Sequence, residues 1–241
     1  MNNKLLTCLF VLFLPASYVN AAEVKDQPKQ GWEGEAELGI IATSGNTDTS
    51  STNGKLRVEY LENKWTHQVR LETVRAKDRD TLTADRLMVL FRSKYQFSER
   101  GYYFGTIRYE EDVFAGYDQR TTEIVGYGRN LYAGEKFHMD METGVGGRQT
   151  NNTDNTSVDE TVLRVATNMS WKISETSSIK EELFVEFGDV NTLTESVTDL
   201  KVRINSALAM KVSFTVKDNS EVIAGKKHTD TQTAVTLVYD F

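Results

Sequence analysis

From Trp32 to Phe241, apolar and polar side chains change places at nearly every step. That period belongs to a β-strand with two unlike faces, and a helix cannot satisfy it. Trp32, Gly34, Ala36, Leu38, Ile40 and Ala42 alternate with Glu33, Glu35, Glu37 and Gly39. Leu56, Val58 and Tyr60 alternate with Lys55, Arg57 and Glu59, and Phe137, Met139, Met141, Thr143 and Val145 with His138, Asp140, Glu142 and Gly144. Proline cannot donate to a sheet ladder. The chain has two, Pro15 and Pro28, and both precede this region.

Read this way, the pattern gives about twelve strands, with ends set to a few residues. They run over 32–43, 50–61, 65–76, 83–96, 101–112, 119–132, 137–149, 158–172, 178–188, 196–209, 211–218 and 229–241. The tenth and eleventh have almost no turn signal between them. Connections after even strands are short, as at Glu62-Asn63-Lys64 and Glu99-Arg100. Those after odd strands are longer and polar, as at Ser44 to Thr49, Thr150 to Ser157 and Asn219 to His228. An even strand count with short turns on one side and long loops on the other is the habit of bacterial membrane barrels. The expected fold is all-β: an antiparallel, up-and-down transmembrane β-barrel over 32–241.

Alternation alone does not say which face is wet. A soluble β-sandwich or lipocalin-like barrel alternates too, with its apolar face inward. Charges of both signs on the polar faces favour a water-filled interior. Aromatics recur near strand ends (Trp32, Tyr60, Trp65, Tyr95, Tyr132, Phe137, Trp171), as interfacial girdles do. The last strand closes on Val235, Leu237, Tyr239 and Phe241, which looks like the signal read by the barrel assembly machinery. No stretch beyond residue 22 is apolar enough for a membrane helix, so any crossing falls to strands.

The amino terminus reads as an address. Lys4 precedes an apolar run, Leu5 to Leu14, and Val19-Asn20-Ala21 puts small residues at a cleavage site. Residues 1–21 are expected to be a secretory signal cut after Ala21, and 22–31 a short polar leader. Cys8, the single cysteine, lies inside the signal, so no disulfide is expected in the mature chain. With 28 basic and 35 acidic side chains, the protein lacks the basic footprint that nucleic-acid binding requires.

Several segments together resemble the YdiY-like family of salt-induced outer-membrane proteins. They are Trp32-Glu33-Gly34, Thr43-Ser44-Gly45-Asn46-Thr47-Asp48-Thr49, Tyr127-Gly128-Arg129-Asn130-Leu131, and the run from Lys226 through His228 to Phe241. The resemblance spans essentially the whole mature chain. It implies an outer-membrane barrel and carries no catalytic residues with it.

Barrel lipid hydrolases use a serine activated by a histidine that a third polar group orients. The three histidines are His67, on an apolar strand face beside Trp65, His138, at the start of a polar face, and His228, in the last long loop. None has a serine two residues on, although a serine on another strand could approach. His228 with Asp230 is too few ligands for a metal site. Asn152, Asp154 and Asn155 lack the glycine and closing glutamate of a calcium loop. No metal and no cofactor is expected. Gly144, Gly146 and Gly147 sit inside a strand pattern, where glycine lets a strand bend or makes room for a neighbour.

The polar face is the most informative feature. Glu33, Glu35, Glu37, Lys55, Arg57, Arg70, Glu72, Arg108, Glu110, Glu123, Arg129, Asp140, Glu142 and Arg148 are expected to line the lumen. Two roles compete for them: pairing across the lumen, which offsets desolvation, and setting the selectivity of a water path. The expected protein is a monomeric, non-catalytic barrel in outer-membrane lipid with both termini periplasmic. It would be a narrow passive channel for small solutes or a structural, stress-related component. An outer-membrane lipid hydrolase and a periplasmic barrel holding an apolar ligand remain the alternatives.

Overall fold

The protein is described from a computed structural model that covers residues 30–43 and 49–241. The expected signal, its cleavage after Ala21, most of the leader and the core of the first loop fall outside the described residues.

Twelve strands form one closed antiparallel barrel. They are β1 (Gly31–Thr43), β2 (Thr49–Glu62), β3 (Trp65–Asp78), β4 (Thr81–Gln96), β5 (Gly101–Asp112) and β6 (Tyr117–Ala133). The second half comprises β7 (Phe137–Asn152), β8 (Ser157–Lys172), β9 (Ser177–Gly188), β10 (Leu193–Arg203), β11 (Leu208–Asn219) and β12 (Thr229–Asp240). No helix occurs among the described residues. Each strand pairs with its sequence neighbours, and β1 closes the ring on β12 through Ala36↔Tyr239 and Leu38↔Leu237. Gly34 and Phe241 extend this seam with reciprocal backbone hydrogen bonds of 2.7 and 2.9 Å. A Cβ on Gly34 would lie 2.2 Å from the exposed Phe241 ring, so a larger residue there would require that ring to move.

One boundary differs from the sequence reading. Strand ten ends at Arg203 and strand eleven begins at Leu208, so the turn falls at 204–207. Asn205 makes it: its Oδ1 accepts the backbone N–H groups of Ala207 and Leu208, both at 2.9 Å. A side chain that mimics a backbone turn partner is the familiar role of asparagine. Its signal was masked because Ile204 and Leu208 prolong the apolar alternation on either side.

The barrel is apolar outside and charged inside. Val125, Leu163 and Leu237 are among the large apolar side chains left exposed, whereas Glu110, Arg148 and Glu186 are buried. Charges buried together with apolar residues exposed is the distribution of a membrane barrel, the inverse of a lipocalin-like one. The aromatics gather at the rim that carries the chain ends and the short turns, called here the turn rim. Trp32 packs on Tyr60 at 4.7 Å, Trp65 on Tyr95 at 4.8 Å, Phe97 on Tyr103 at 4.7 Å and Tyr132 on Phe137 at 5.5 Å. The long connections form the opposite, loop rim.

Candidate lumenal site

Every strand contributes alternate residues to the interior, so the site is a lining rather than a pocket on one element. Near the turn rim, Lys201 bridges Glu35 at 2.7 Å and Asp240 at 2.6 Å. Lys211 joins Glu37 and lies 3.6 Å from both Glu35 and Asp199. Arg57 reaches Glu59 at 3.0 Å, and Lys55 reaches Glu72 at 3.0 Å. Glu33 sits on the same face of β1, in register with Glu59. Also toward this rim, Arg92 pairs with Glu142, which accepts the Tyr102 hydroxyl at 2.8 Å, and Asp140 accepts Asn168 Nδ2 at 2.8 Å.

Two ion pairs cross the whole barrel. Arg70 on β3 meets Glu182 on β9 at 3.2 Å. Lys217 on β11 meets Glu110 on β5 at 2.8 Å and is also 3.1 Å from the Tyr117 hydroxyl. Both strand pairs stand opposite each other in the ring. Around them, Glu186 collects Arg108 at 2.8 Å, Arg164 at 2.6 Å and Arg148 at 3.6 Å. Arg164 also lies over the Phe184 ring, 4.0 Å from its centre. One cavity of about 280 Å³ remains among Arg70, Arg92, Lys94, Arg108, Glu182 and Glu186. Charges taken from bulk water need such partners to offset desolvation.

The connection between β9 and β10 folds into the barrel. Asn191 is buried; its carbonyl accepts from Arg148 and its side chain donates to Asn219 at 3.0 Å. Glu160 binds Arg148 at 2.8 Å and accepts the backbone N–H groups of Val190 and Asn191 at 3.0 and 2.9 Å. This network draws the loop rim inward.

Two lumenal assignments need correction. Glu123 and Arg129 stand exposed on the outward face of β6, beside Val125 and Tyr127. The inward face carries Thr122, Ile124, Gly126 and Gly128. The cause lies on β5, whose Tyr102 and Phe104 project inward and need room. A Cβ on Gly128 would lie 2.2 Å from the Tyr102 ring, and one on Gly126 would lie 2.7 Å from the Phe104 ring. The face with the smallest side chains therefore turns in. Sequence reading also missed Arg120, Glu160, Asn191, Lys211 and Asn219. Lys211 was hidden by the misplaced turn before β11; parity with Lys217 was the available signal.

The histidines separate clearly. His67 Nδ1 is 3.0 Å from Ser93 Oγ, a serine supplied by the neighbouring strand β4. The pair faces outward, with His67 stacked on Trp65 and Phe91. Among the described residues no carboxylate or amide bonds the other ring nitrogen, so the orienting group of a hydrolytic triad is missing. Polar groups on an apolar surface need partners, and Glu181 satisfies the same requirement by accepting Ser196 Oγ at 2.7 Å. His138 lies 3.7 Å from Asp140, and His228 Nδ1 lies 2.8 Å from the Asn219 carbonyl oxygen. Among the described residues no group of three or more His, Cys, Asp or Glu could hold a metal ion.

The geometry agrees with the relatives. A family model described as "Protein of unknown function, DUF481" matches residues 36–241. The chain belongs to that family. The uncharacterized protein YdiY of Escherichia coli is 27% identical over 220 residues, covering 90% of this chain and 87% of that protein. Among solved structures, the NanC porin superposes with a TM-score of 0.54 at 10% identity, over 88% of this chain and 99% of that one. The translocator domain of the autotransporter NalP from Neisseria meningitidis gives 0.52 at 12% identity, over 90% of each chain. At such identities the likeness shows the fold, that of an outer-membrane barrel.

Proposed function

We propose that the protein is an integral outer-membrane barrel acting as a narrow, constricted passage for small solutes, without a catalytic cycle. The observation that carries this is the pair of ion bridges, Arg70–Glu182 and Glu110–Lys217, spanning a charged lumen between opposite walls. A barrel built only to be rigid could fill its interior with apolar side chains. Charges of both signs around a cavity instead suit slow passage of small polar molecules. The similarity to a porin fold supports the reading.

In this reading residues 1–21 are removed at export, the turn rim is periplasmic and the loop rim external. The chain is a monomer in outer-membrane lipid, and the last strand with Tyr239 and Phe241 serves the assembly machinery. A part in ionic or osmotic stress rests on the family's name. Sucrose-gradient fractionation followed by carbonate and detergent extraction tests the placement: release by carbonate would sink it. Planar-bilayer recording tests the passage. Small unitary conductance is expected for the wild type, and a larger one when Arg70→Ala and Glu182→Ala are combined. Current at the lipid background in both proteins would exclude a channel.

A further inference from the structure

Arg120 lies on the inward face of β6 near the loop rim, with 6% of its surface exposed. Its hydrogen-bond partners are neutral. Nε donates to Thr150 Oγ1 and Nη1 donates to Asn219 Oδ1, each at 3.4 Å. The guanidinium lies over the Tyr117 ring, 4.0 Å from its centre. Among the described residues no carboxylate forms an ion pair with it, whereas Arg70, Arg92, Arg108, Arg148 and Arg164 each hold one. The nearby acids are engaged elsewhere or face solvent. Glu110, its cross-strand neighbour, holds Lys217 and Arg108. Glu160 holds Arg148 and two backbone N–H groups. Glu221 is exposed on the loop above.

The backbone is shaped for this arrangement. Tyr117 and Arg120 are three residues apart, and in a regular strand they would point to opposite faces. A register shift between Tyr117 and Gln119 inserts an extra residue, so both turn inward. Bulges are used to re-aim side chains in this way. Beside the pair lies a cavity of about 180 Å³ at the loop rim, lined by Tyr117, Arg120, Thr150, Asn191 and Asn219, and also by Glu160, whose carboxylate is held by Arg148 and two backbone N–H groups, and by the exposed Glu221. Asn219 Nδ2 and the Thr150 hydroxyl hydrogen have no acceptor among the described residues. A buried cation with no direct ion pair is costly, even with the engaged Glu110 across the strand from it, and a guanidinium fork matches the two oxygens of a carboxylate or phosphate.

We infer that this cavity is an anion-binding vestibule, in which Arg120 takes the carboxylate or phosphate group of a small solute. Asn219 and Thr150 complete the donor set. The vestibule deepens the proposed passage by naming the class of solute it admits. It requires the loop rim to face solvent and does not require conduction, so a silent bilayer recording would leave it standing.

The test uses the full chain in detergent, titrated with inorganic phosphate and, separately, with acetate. Line broadening is followed in the ³¹P and ¹H spectra. Saturable broadening by either anion is expected, and which one responds identifies the source of the oxyanion. Arg120→Gln should weaken the response about tenfold, the usual scale for a lost charge-assisted pair. Lys180→Ala, at the turn-rim end, should leave it unchanged. Heat-modifiable gel migration reports whether each variant has closed its barrel. Should Arg120→Gln not close, Arg120→Lys, which keeps the charge but loses the fork, is expected to show a smaller but measurable loss. No saturable broadening in the wild type, or equal broadening in the folded variants, overturns the inference.

Discussion

The two ends of the lumen are built differently. Toward the turn rim several charges are partly wet: the side chains of Lys180 and Arg57 are 41% and 31% exposed, although Lys211 and Glu37 there are buried. Toward the loop rim they are sealed: those of Arg148, Glu186 and Glu110 are 0–1% exposed. The connections follow the same division. Short turns leave the first end open, whereas the β9–β10 connection folds Asn191 inward at the second. A wet pair is screened and its loss is mild. A sealed network behaves as one unit, because removing a member strands the others without compensation. The constriction is therefore strongest at the end proposed to meet the exterior.

Four measurements would break or sharpen this contrast. The largest effect is expected from Glu186→Gln, which keeps the shape but leaves Arg108, Arg148 and Arg164 without their shared carboxylate. Loss of about 3–5 kcal/mol in detergent–urea unfolding is expected; a loss near zero would mean that the loop end is as wet as the turn end. Next comes Ser93→Ala on the outer belt. It should cost about 1 kcal/mol through the unmet His67 nitrogen and leave phospholipid turnover unchanged. A fall in turnover would revive the hydrolase reading. Lys180→Ala removes a half-exposed partner of Glu182 and should cost under about 1 kcal/mol, falling further in high salt. A cost comparable to Glu186→Gln would erase the distinction between the two ends.

The smallest effect concerns the β7–β8 turn at the loop rim. Hydrogen bonds from Thr156, including its backbone N–H at 2.9 Å, hold the Asp154 carboxyl below the ordinary carboxylate range. A group with a depressed folded value contributes stability above its unfolded value, about 3.9. That contribution disappears as pH falls through the folded value. Protection of the Thr156 amide, its exchange measured against the intrinsic rate at the same pH, should accordingly fall in acid below about pH 4, while amides of the neighbouring strands stay protected. Unchanged protection would show that the turn holds without its carboxylate.

Much of the barrel is legible in the sequence alone. Strand number followed from period-two alternation and from the contrast between short and long connections. The β10–β11 turn was misplaced because Asn205 acts through its side chain inside an unbroken apolar pattern. The faces of β6 were misread because both carry mixed residues: Glu123 and Arg129 on one, Ile124 on the other. Only the bulk of Tyr102 and Phe104 on the next strand decides between them. The Ser93–His67 contact was missed for a related reason, since a search for a serine along the same strand cannot see across the ladder.

The amino-acid sequence by itself determined an antiparallel barrel of about twelve strands with unlike faces, because alternation is local and each strand records its own. It could not assign partners across the lumen. Arg70 and Glu182 are 112 residues apart, and Lys217 and Glu110 are 107 apart. Each meets its partner because closure of β1 on β12 places β3 opposite β9 and β5 opposite β11. Only the tertiary structure decided which charges pair, which end of the lumen is sealed and why Arg120 has no carboxylate. Those outcomes depend on shear, bulges and the volume of neighbouring side chains, which are properties of the closed ring rather than of any strand within it.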